Sequence, residues 1–138
     1  MKKIIINIAL IMLLATSCTQ KYPLELGKGF KIDYDGNSYF YLLDKSNTVV
    51  IKPHIISFNV NSKFILVEQK PIELILDSIN KTPHVTLKKR DYAFKKSKLR
   101  RFWIIDKIND SVYGPLTKDE YLKKRKELKI PKELELKE

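Results

Sequence analysis

The chain has 138 residues, of which 27 are lysine or arginine and 16 are aspartate or glutamate, giving a formal net charge of +11. This length suits one domain with its own core rather than two, and the single cysteine excludes an internal disulfide. The excess of basic residues favours anionic partners such as phospholipid headgroups, acidic envelope polymers or acidic proteins, although surplus lysine also keeps small domains soluble.

The N-terminus has the organisation of a secretory signal. A charged start precedes an apolar run over residues 4–15, and small residues lead to Cys18. The run is shorter than the roughly 20 residues that a helix needs to cross a bilayer. Residues 14–18 read LATSC and resemble a bacterial lipobox, which implies cleavage before Cys18 and acylation of that cysteine. A plain secretory peptide with an incidental cysteine, or an uncleaved anchor, are the alternatives.

These features predict an envelope lipoprotein that is anchored in a membrane through lipid on Cys18 and faces the periplasm or the exterior. We expect a signal peptide over residues 1–17, a lipidated cysteine with a short tether over residues 18–28, and a single domain over residues 29–138. In that compartment nucleic acid is not an expected partner.

Strand signals dominate the domain from residue 29. Residues 30–34 and 39–43 flank a tight Asp-Gly-Asn turn and predict a hairpin. Residues 48–60 are β-branched but contain Pro53, which indicates an edge strand, a bulge or a break between two strands. Ile56, Phe58 and Val60 share one face of that segment, as in a half-buried strand. Residues 64–67 and 102–105 are apolar on both faces and predict central strands.

Two segments have helical periodicity. The first begins at Pro71 and has apolar residues at i, i+3, i+4 and i+7; Asn80 and Pro83 are expected to end it. The second runs from Thr117 to about Leu128 and opens with a capping box formed by Thr117 and Glu120. Residues 132–138 are predicted to be a loosely held tail. The expected fold class is therefore α+β, an antiparallel β-meander of about five to seven strands with two helices; a sandwich-like variant is the alternative.

The segment 102–128 supplies the most specific motifs. Residues 102–106 read FWIID, residues 112–116 read VYGPL, and a closing helix follows. Together with the lipobox, this pattern resembles a family of small bacterial lipoproteins known as domain of unknown function 3997. The resemblance implies a β-rich middle, a turn at Tyr-Gly-Pro-Leu and a closing helix, and it brings no assigned activity.

A basic run interleaved with Tyr92 and Phe94 is the main functional signal outside the anchor. Cations and aromatics in such a pattern suit a phosphate-rich surface. A solvated basic loop before the core strand is the alternative. The candidate residues for binding an anionic surface are Lys88, Lys89, Arg90, Lys95, Lys96, Lys98, Arg100 and Arg101.

Catalytic, metal and cofactor signals are weak. Neither His54 nor His84 has a second ligand at suitable spacing, so both are expected to be ordinary surface or loop histidines, and no metal or cofactor is predicted. The pairs Asp33 with Asp35 and Asp106 with Asp110 flank turns and are best explained by turn chemistry.

The sequence thus favours a non-catalytic binding module for a protein partner or an anionic envelope component. An inhibitor or immunity-type lipoprotein is an alternative. A small envelope enzyme that uses carboxylates such as Asp33 and Asp106 is a further and weaker one.

Overall fold

The computed structural model describes residues 21–37, 39–81 and 84–137. That part of the chain forms one seven-stranded sheet in sequence order, with every neighbouring pair antiparallel, and three helices. The α+β meander predicted from the sequence is confirmed. The signal-like residues 1–17 and Cys18 lie outside the described residues. The elements are β1 (Leu24–Gly27), β2 (Phe30–Tyr34), β3 (Phe40–Leu43), β4 (Val49–Val60), β5 (Phe64–Gln69), α1 (Ile72–Asn80), α2 (Leu87–Lys96), β6 (Arg101–Asp106), β7 (Ser111–Leu116) and α3 (Lys118–Glu127).

The sheet curls strongly. Leu26 of β1 and Ile105 of β6 belong to one buried cluster although four strands separate them in the sheet. Lys107, directly after β6, is buried and donates from Nζ to the carbonyl oxygens of Leu26 at 2.7 Å and Asn61 at 2.5 Å. Burial lowers the pKa of Lys107, with the nearby charge of Lys28 acting in the same direction. Lys107 thus links β1 to the end of β6 and to the loop between β4 and β5.

Both faces of the central strands are buried, as predicted. On β5, Ile65 and Val67 point to the concave side of the curled sheet, where they pack in the cluster that contains Leu26. Phe64 and Leu66 point to the convex side and pack with Phe102 and Ile104 against α3. Because successive side chains of a strand alternate between faces, a run that is apolar at every position must be covered on both sides.

Helix α3 forms as its capping motif predicts. The Glu120 N–H donates to Thr117 Oγ1 at 3.3 Å, and the Thr117 N–H donates to Glu120 Oε2 at 2.8 Å. Tyr121 follows one residue later and is only 2% exposed. Its ring stacks on that of Phe102 at 5.0 Å between centroids. The capping box thus starts the helix at the point where one aromatic residue can close the convex core.

The C-terminal segment is packed, so the prediction of a loose tail is wrong for its described residues. Ile130 and Leu134 are buried in the convex core. Arg125 donates to the carbonyl oxygen of Leu134 at 2.7 Å, and Asn59 Nδ2 donates to that of Glu135 at 2.7 Å. Charged residues separate the apolar residues of this segment, so the sequence pattern does not show that they are buried.

Strand β4 passes through the middle of the sheet despite Pro53. Phe40 pairs with Ile55 and Leu42 pairs with Ile51, so one intervening residue of β3 faces three of β4 and the proline lies in a bulge. The bulge prediction is confirmed, and the edge-strand alternative is wrong. The pairing of β4 with β5 shifts again after Ile55. Ile56 is 47% exposed and does not share a face with Phe58 and Val60 as predicted.

Two further segments differ from the sequence predictions. Residues 24–27, placed in the tether, form β1 and pair with β2, with Leu26 buried. Residues 87–96, for which a solvated basic loop was the alternative and no helix was predicted, form α2, so the described chain has one helix more than the two predicted. The predicted first helix is confirmed as α1, which follows directly after Pro71; Pro83, expected to end it, lies outside the described residues.

Candidate functional site

Helix α2 carries five of the eight candidate basic residues. The hydroxyl of Thr86 caps the helix by accepting the Lys89 N–H at 3.4 Å, and none of the ten helical residues is buried. With 3.6 residues per turn, Tyr92 shares the outer side with all the lysines of the helix. This outer face of α2 consists of Lys88, Lys89, Tyr92, Lys95 and Lys96.

The outer face of α2 is strongly cationic and partly apolar. Lys95 pairs with Asp91 at 2.8 Å, and this hydrogen-bonded contact raises the pKa of Lys95. Within residues 21–37, 39–81 and 84–137, the other three lysines have no carboxylate within 4.0 Å. Tyr92, in the middle of this face, is 64% exposed, whereas Leu87, 81% exposed at the first helical position, lies off this face. Exposed apolar side chains among lysines are typical of a helix that lies at a membrane interface.

The inner side of α2 rests on an aromatic stack. The Phe94 ring lies 4.5 Å from that of His54, which in turn lies 3.9 Å from that of Tyr39. Lys70 Nζ lies 4.7 Å from the Phe94 ring centroid and donates to the carbonyl oxygen of Lys95 at 3.2 Å. These contacts hold the helix to β4 by its inner side and leave the lysine face turned away from the sheet.

His54 is not the surface or loop histidine that the sequence predicts. It lies on β4 and is 8% exposed because Tyr39 and Phe94 cover it. Burial lowers its pKa; the Asp35 carboxylate opposes this shift, and the Lys70 ammonium adds to it. His84 is exposed.

The chain enters the sheet at the same end at which α2 packs. The Tyr22 ring lies 5.4 Å from that of Tyr34 and 5.2 Å from that of Phe40, the two residues that border the β2–β3 turn. Tyr39, adjacent to Phe40 in the chain, belongs to the stack beneath α2. The aromatic group at the entry point of the chain and the stack beneath α2 therefore adjoin through the neighbouring residues Tyr39 and Phe40.

The remaining candidate basic residues lie elsewhere or point inward. Arg90 Nη2 donates to Asn80 Oδ1 at 3.2 Å and so joins α2 to α1. Arg100 pairs with Glu68 through Nε at 3.5 Å, with both side chains mostly buried. Lys98 is exposed between α2 and β6, and Arg101 is half-buried at the start of β6. The eight residues therefore do not form one patch.

Helix α3 has a similar number of basic residues, and several serve packing. Lys124 pairs with Glu127 at 2.6 Å. Lys118 Nζ lies 4.8 Å from the Phe102 ring centroid, and Arg125 holds the C-terminal segment. The basic side chains of α3 are therefore less available to an external anion than those of α2.

The candidate carboxylates hold turns. Asp35 Oδ1 accepts the Asn37 N–H at 2.9 Å in the β2–β3 turn, whereas Asp33 lies on β2 and accepts only the N–H of the next residue, Tyr34, at 2.8 Å. Asp106 accepts the N–H groups of Ile108 at 3.0 Å and Asn109 at 3.1 Å. Burial acts to raise the pKa of Asp106, but the hydrogen bonds from Asn109 and Ile108 outweigh it, so the pKa is lowered. These contacts agree with the turn chemistry that the sequence predicts.

The described part of the chain contains neither a cluster of metal-ligating side chains nor a helix that could span a membrane. Among residues 21–37, 39–81 and 84–137, no three histidine, cysteine, aspartate or glutamate side chains come together as metal ligands. None of the helices in these ranges has the length and hydropathy needed to cross a bilayer.

The motif at residues 102–128 unites β6, β7 and α3. Its Tyr-Gly-Pro-Leu segment lies within β7 rather than forming a turn; the turn precedes it, over residues 107–110. A family model described as "Protein of unknown function (DUF3997)" matches residues 17–138. The chain belongs to this family. No curated protein and no solved structure matches the chain significantly. Membership in this uncharacterised family confirms the resemblance seen in the sequence and assigns no activity.

Proposed function

We propose that this DUF3997 member is a non-catalytic envelope lipoprotein, anchored through Cys18, whose outer face of α2 binds an anionic phospholipid surface. The observation that carries the proposal is the lysine face of α2. It consists of four lysines and Tyr92 on a helix with no buried residue, and α2 packs at the end of the sheet where the chain enters the domain.

Electrostatics set the strength of such a contact. Each basic residue near an anionic membrane contributes about 1 kcal/mol. Four lysines therefore give about 4 kcal/mol, which corresponds to a Kd of about 1 mM. This is too weak for stable attachment of a free protein. A weak basic surface becomes effective when a lipid anchor supplies the second signal.

The tether would keep the domain near its anchor. Five residues lie between Cys18 and Leu24, where β1 begins, so even a fully extended chain spans no more than about 20 Å from one to the other. Over such a distance, the anchor raises the effective concentration of the basic face at the lipid surface. The lysines of α2 would then orient the domain on the membrane as well as strengthen its attachment.

Vesicle binding tests the surface contact apart from the anchor. We would use residues 19–138, which contain every described strand, helix and core cluster, with phosphatidylcholine vesicles that contain or lack phosphatidylglycerol. We expect binding only to the anionic vesicles. The combined changes Lys88→Glu, Lys89→Glu and Lys96→Glu should weaken it about tenfold or more.

A charge-matched variant supplies the control. Lys123→Glu, Lys126→Glu and Lys132→Glu change the net charge equally at exposed positions outside α2. This control should keep wild-type affinity within about threefold. Equal losses in the two variants would mean that overall charge alone governs binding and would refute the proposal for α2.

A protein partner is the competing assignment for the same face. Cross-linking of the anchored protein in intact cells, followed by mass spectrometry, distinguishes the two. Recovery of lipid adducts at α2 supports the phospholipid assignment. One stoichiometric protein attached through α2 would replace it with an adaptor or an inhibitor of immunity type.

A further inference from the structure

A groove of about 430 Å³ lies beside α1 and falls within the range of roughly 300–1,000 Å³ that is usual for small-molecule sites. Strands β4 to β7 and the start of α1 all contribute to it. Its walls are mainly apolar and combine aliphatic, proline and indole surfaces. The apolar residues that matter here are Val49, Val50, Pro53, Leu74, Trp103 and Pro115.

Trp103 forms a fixed apolar wall in this groove. Its Nε1–H donates to Gln69 Oε1 at 3.0 Å, and Gln69 Nε2 donates to the carbonyl oxygen of Lys52 at 2.8 Å. The polar edge of the indole is therefore satisfied from within the protein. Gly114 lies so close that a Cβ there would approach the Trp103 ring to 2.4 Å. The ring thus offers its surface to a ligand without leaving a polar group unpaired.

The charges around the groove leave one surplus cation. Lys52 and Glu73 pair at 2.8 Å. Arg101 has no carboxylate within 4.0 Å in the described ranges and uses Nη1 to donate to the carbonyl oxygen of Arg100 at 3.0 Å. The Arg101 charge helps to lower the pKa of the Glu120 carboxyl group, after the hydrogen bonds from Thr117. That carboxylate is already bound in the capping box of α3.

We propose that this groove binds a small amphiphile with one acidic group, its apolar part against Trp103 and its anion at Arg101. Apolar walls with a few placed polar groups are what a small-molecule site requires. A guanidinium has five N–H donors in a fixed plane and suits a carboxylate or a phosphate monoanion. The inference is independent of the membrane contact proposed for α2, because it uses none of the lysines of that helix.

The single tryptophan of the chain makes the test direct, since Trp103 fluorescence reports only on this groove. We would titrate residues 19–138 with decanoate, below the concentration at which it forms micelles, and with decanol as the uncharged counterpart. We expect a saturable change in fluorescence with decanoate and weaker binding of decanol. Arg101→Gln should weaken decanoate binding about tenfold and leave decanol binding unchanged.

Three further variants and a folding check make the outcome decisive. Arg100→Gln, next in the chain but paired with Glu68 outside the groove, should keep wild-type decanoate affinity. Leu74→Gln, at a partly exposed position of α1, should weaken both ligands about threefold or more. Thermal unfolding of each variant checks that it is folded. The three-lysine variant of α2 should bind decanoate normally.

Several results would overturn the inference. They are a fluorescence change that does not saturate, decanol binding as tight as that of decanoate, equal losses in Arg101→Gln and Arg100→Gln, or loss of decanoate binding in the three-lysine variant of α2. Vesicle binding that fails while decanoate binding persists would refute the membrane proposal alone.

Discussion

Helices α2 and α3 share length, a threonine cap and the number of basic residues, five in each, but differ in what they bury. Each has ten residues, begins after a threonine that accepts the N–H three positions on, and contains one tyrosine among several lysines. The tyrosine of α3 is buried against Phe102, whereas that of α2 is exposed. Amino-acid composition therefore does not tell which of two such helices packs on the core and which stays at the surface. The two are distinguished by whether the tyrosine side chain points toward the core or toward solvent.

The largest expected difference between the helices comes from the same substitution in each. Tyr121→Ala should lower the free energy of unfolding by about 3–5 kcal/mol, because it leaves a cavity in the convex core. Tyr92→Ala should change it by less than about 0.5 kcal/mol, since the side chain is mostly exposed. Urea denaturation of both variants measures the difference, and similar losses would contradict the distinction.

A buried lysine allows a test of the curled sheet on which both helices rest. Lys107→Met should cost about 1–3 kcal/mol, because the carbonyl oxygens of Leu26 and Asn61 lose their donor. Lys28→Met, at an exposed lysine nearby, serves as the control and should be nearly neutral. A stable Lys107→Met protein would show that the link from β1 to β6 contributes little.

Capping substitutions sharpen the comparison further. Thr117→Ala should cost about 1 kcal/mol of global stability, because α3 covers the core. Thr86→Ala removes an equivalent cap from α2, and we expect faster amide exchange in residues 87–96 with little change in global unfolding. Hydrogen exchange combined with urea denaturation checks both. A global loss in Thr86→Ala equal to that in Thr117→Ala would make α2 part of the cooperative core.

The smallest effect concerns pH and the contact beneath α2. The pKa of His54 is lower in the folded protein than the ordinary value of about 6.5, so the unfolded chain binds more protons below that pH. The contribution of neutral His54 to the free energy of unfolding should be fully present above pH 6.5 and should decrease as the pH falls below that value. The melting temperature should therefore drop between pH 7.5 and 5.5 in the wild type and less in His54→Gln. An equal drop in both would exclude His54 as the cause.

Local patterns in the sequence predict much of the scaffold. The apolar runs of β5 and β6, the capping box of α3 and the periodicity of α1 each depend on neighbouring residues and were confirmed. Predictions failed where distant contacts decide the structure. Ile130 and Leu134 are held by Arg125 and by strand β4, and His54 is buried because Tyr39 and the α2 residue Phe94 cover it.

The candidate sites show the same limit. The sequence identified the basic run, but only the structure separates the lysines on the outer face of α2 from Arg100, which pairs with Glu68. The groove at Trp103 gave no sequence signal, because its walls come from four strands and one helix. Trp103 and Arg101, two positions apart on β6, meet Val49 and Pro53 only through pairing of the strands.

The most direct test of the account is amide hydrogen exchange of the Cys18-anchored protein in vesicles of phosphatidylcholine, with and without phosphatidylglycerol. We predict slower exchange over residues 87–96 when the anionic lipid is present, with α3 unchanged. Unchanged exchange in α2, or slowing in α3 instead, would contradict the assignment of the outer face of α2 as the membrane contact.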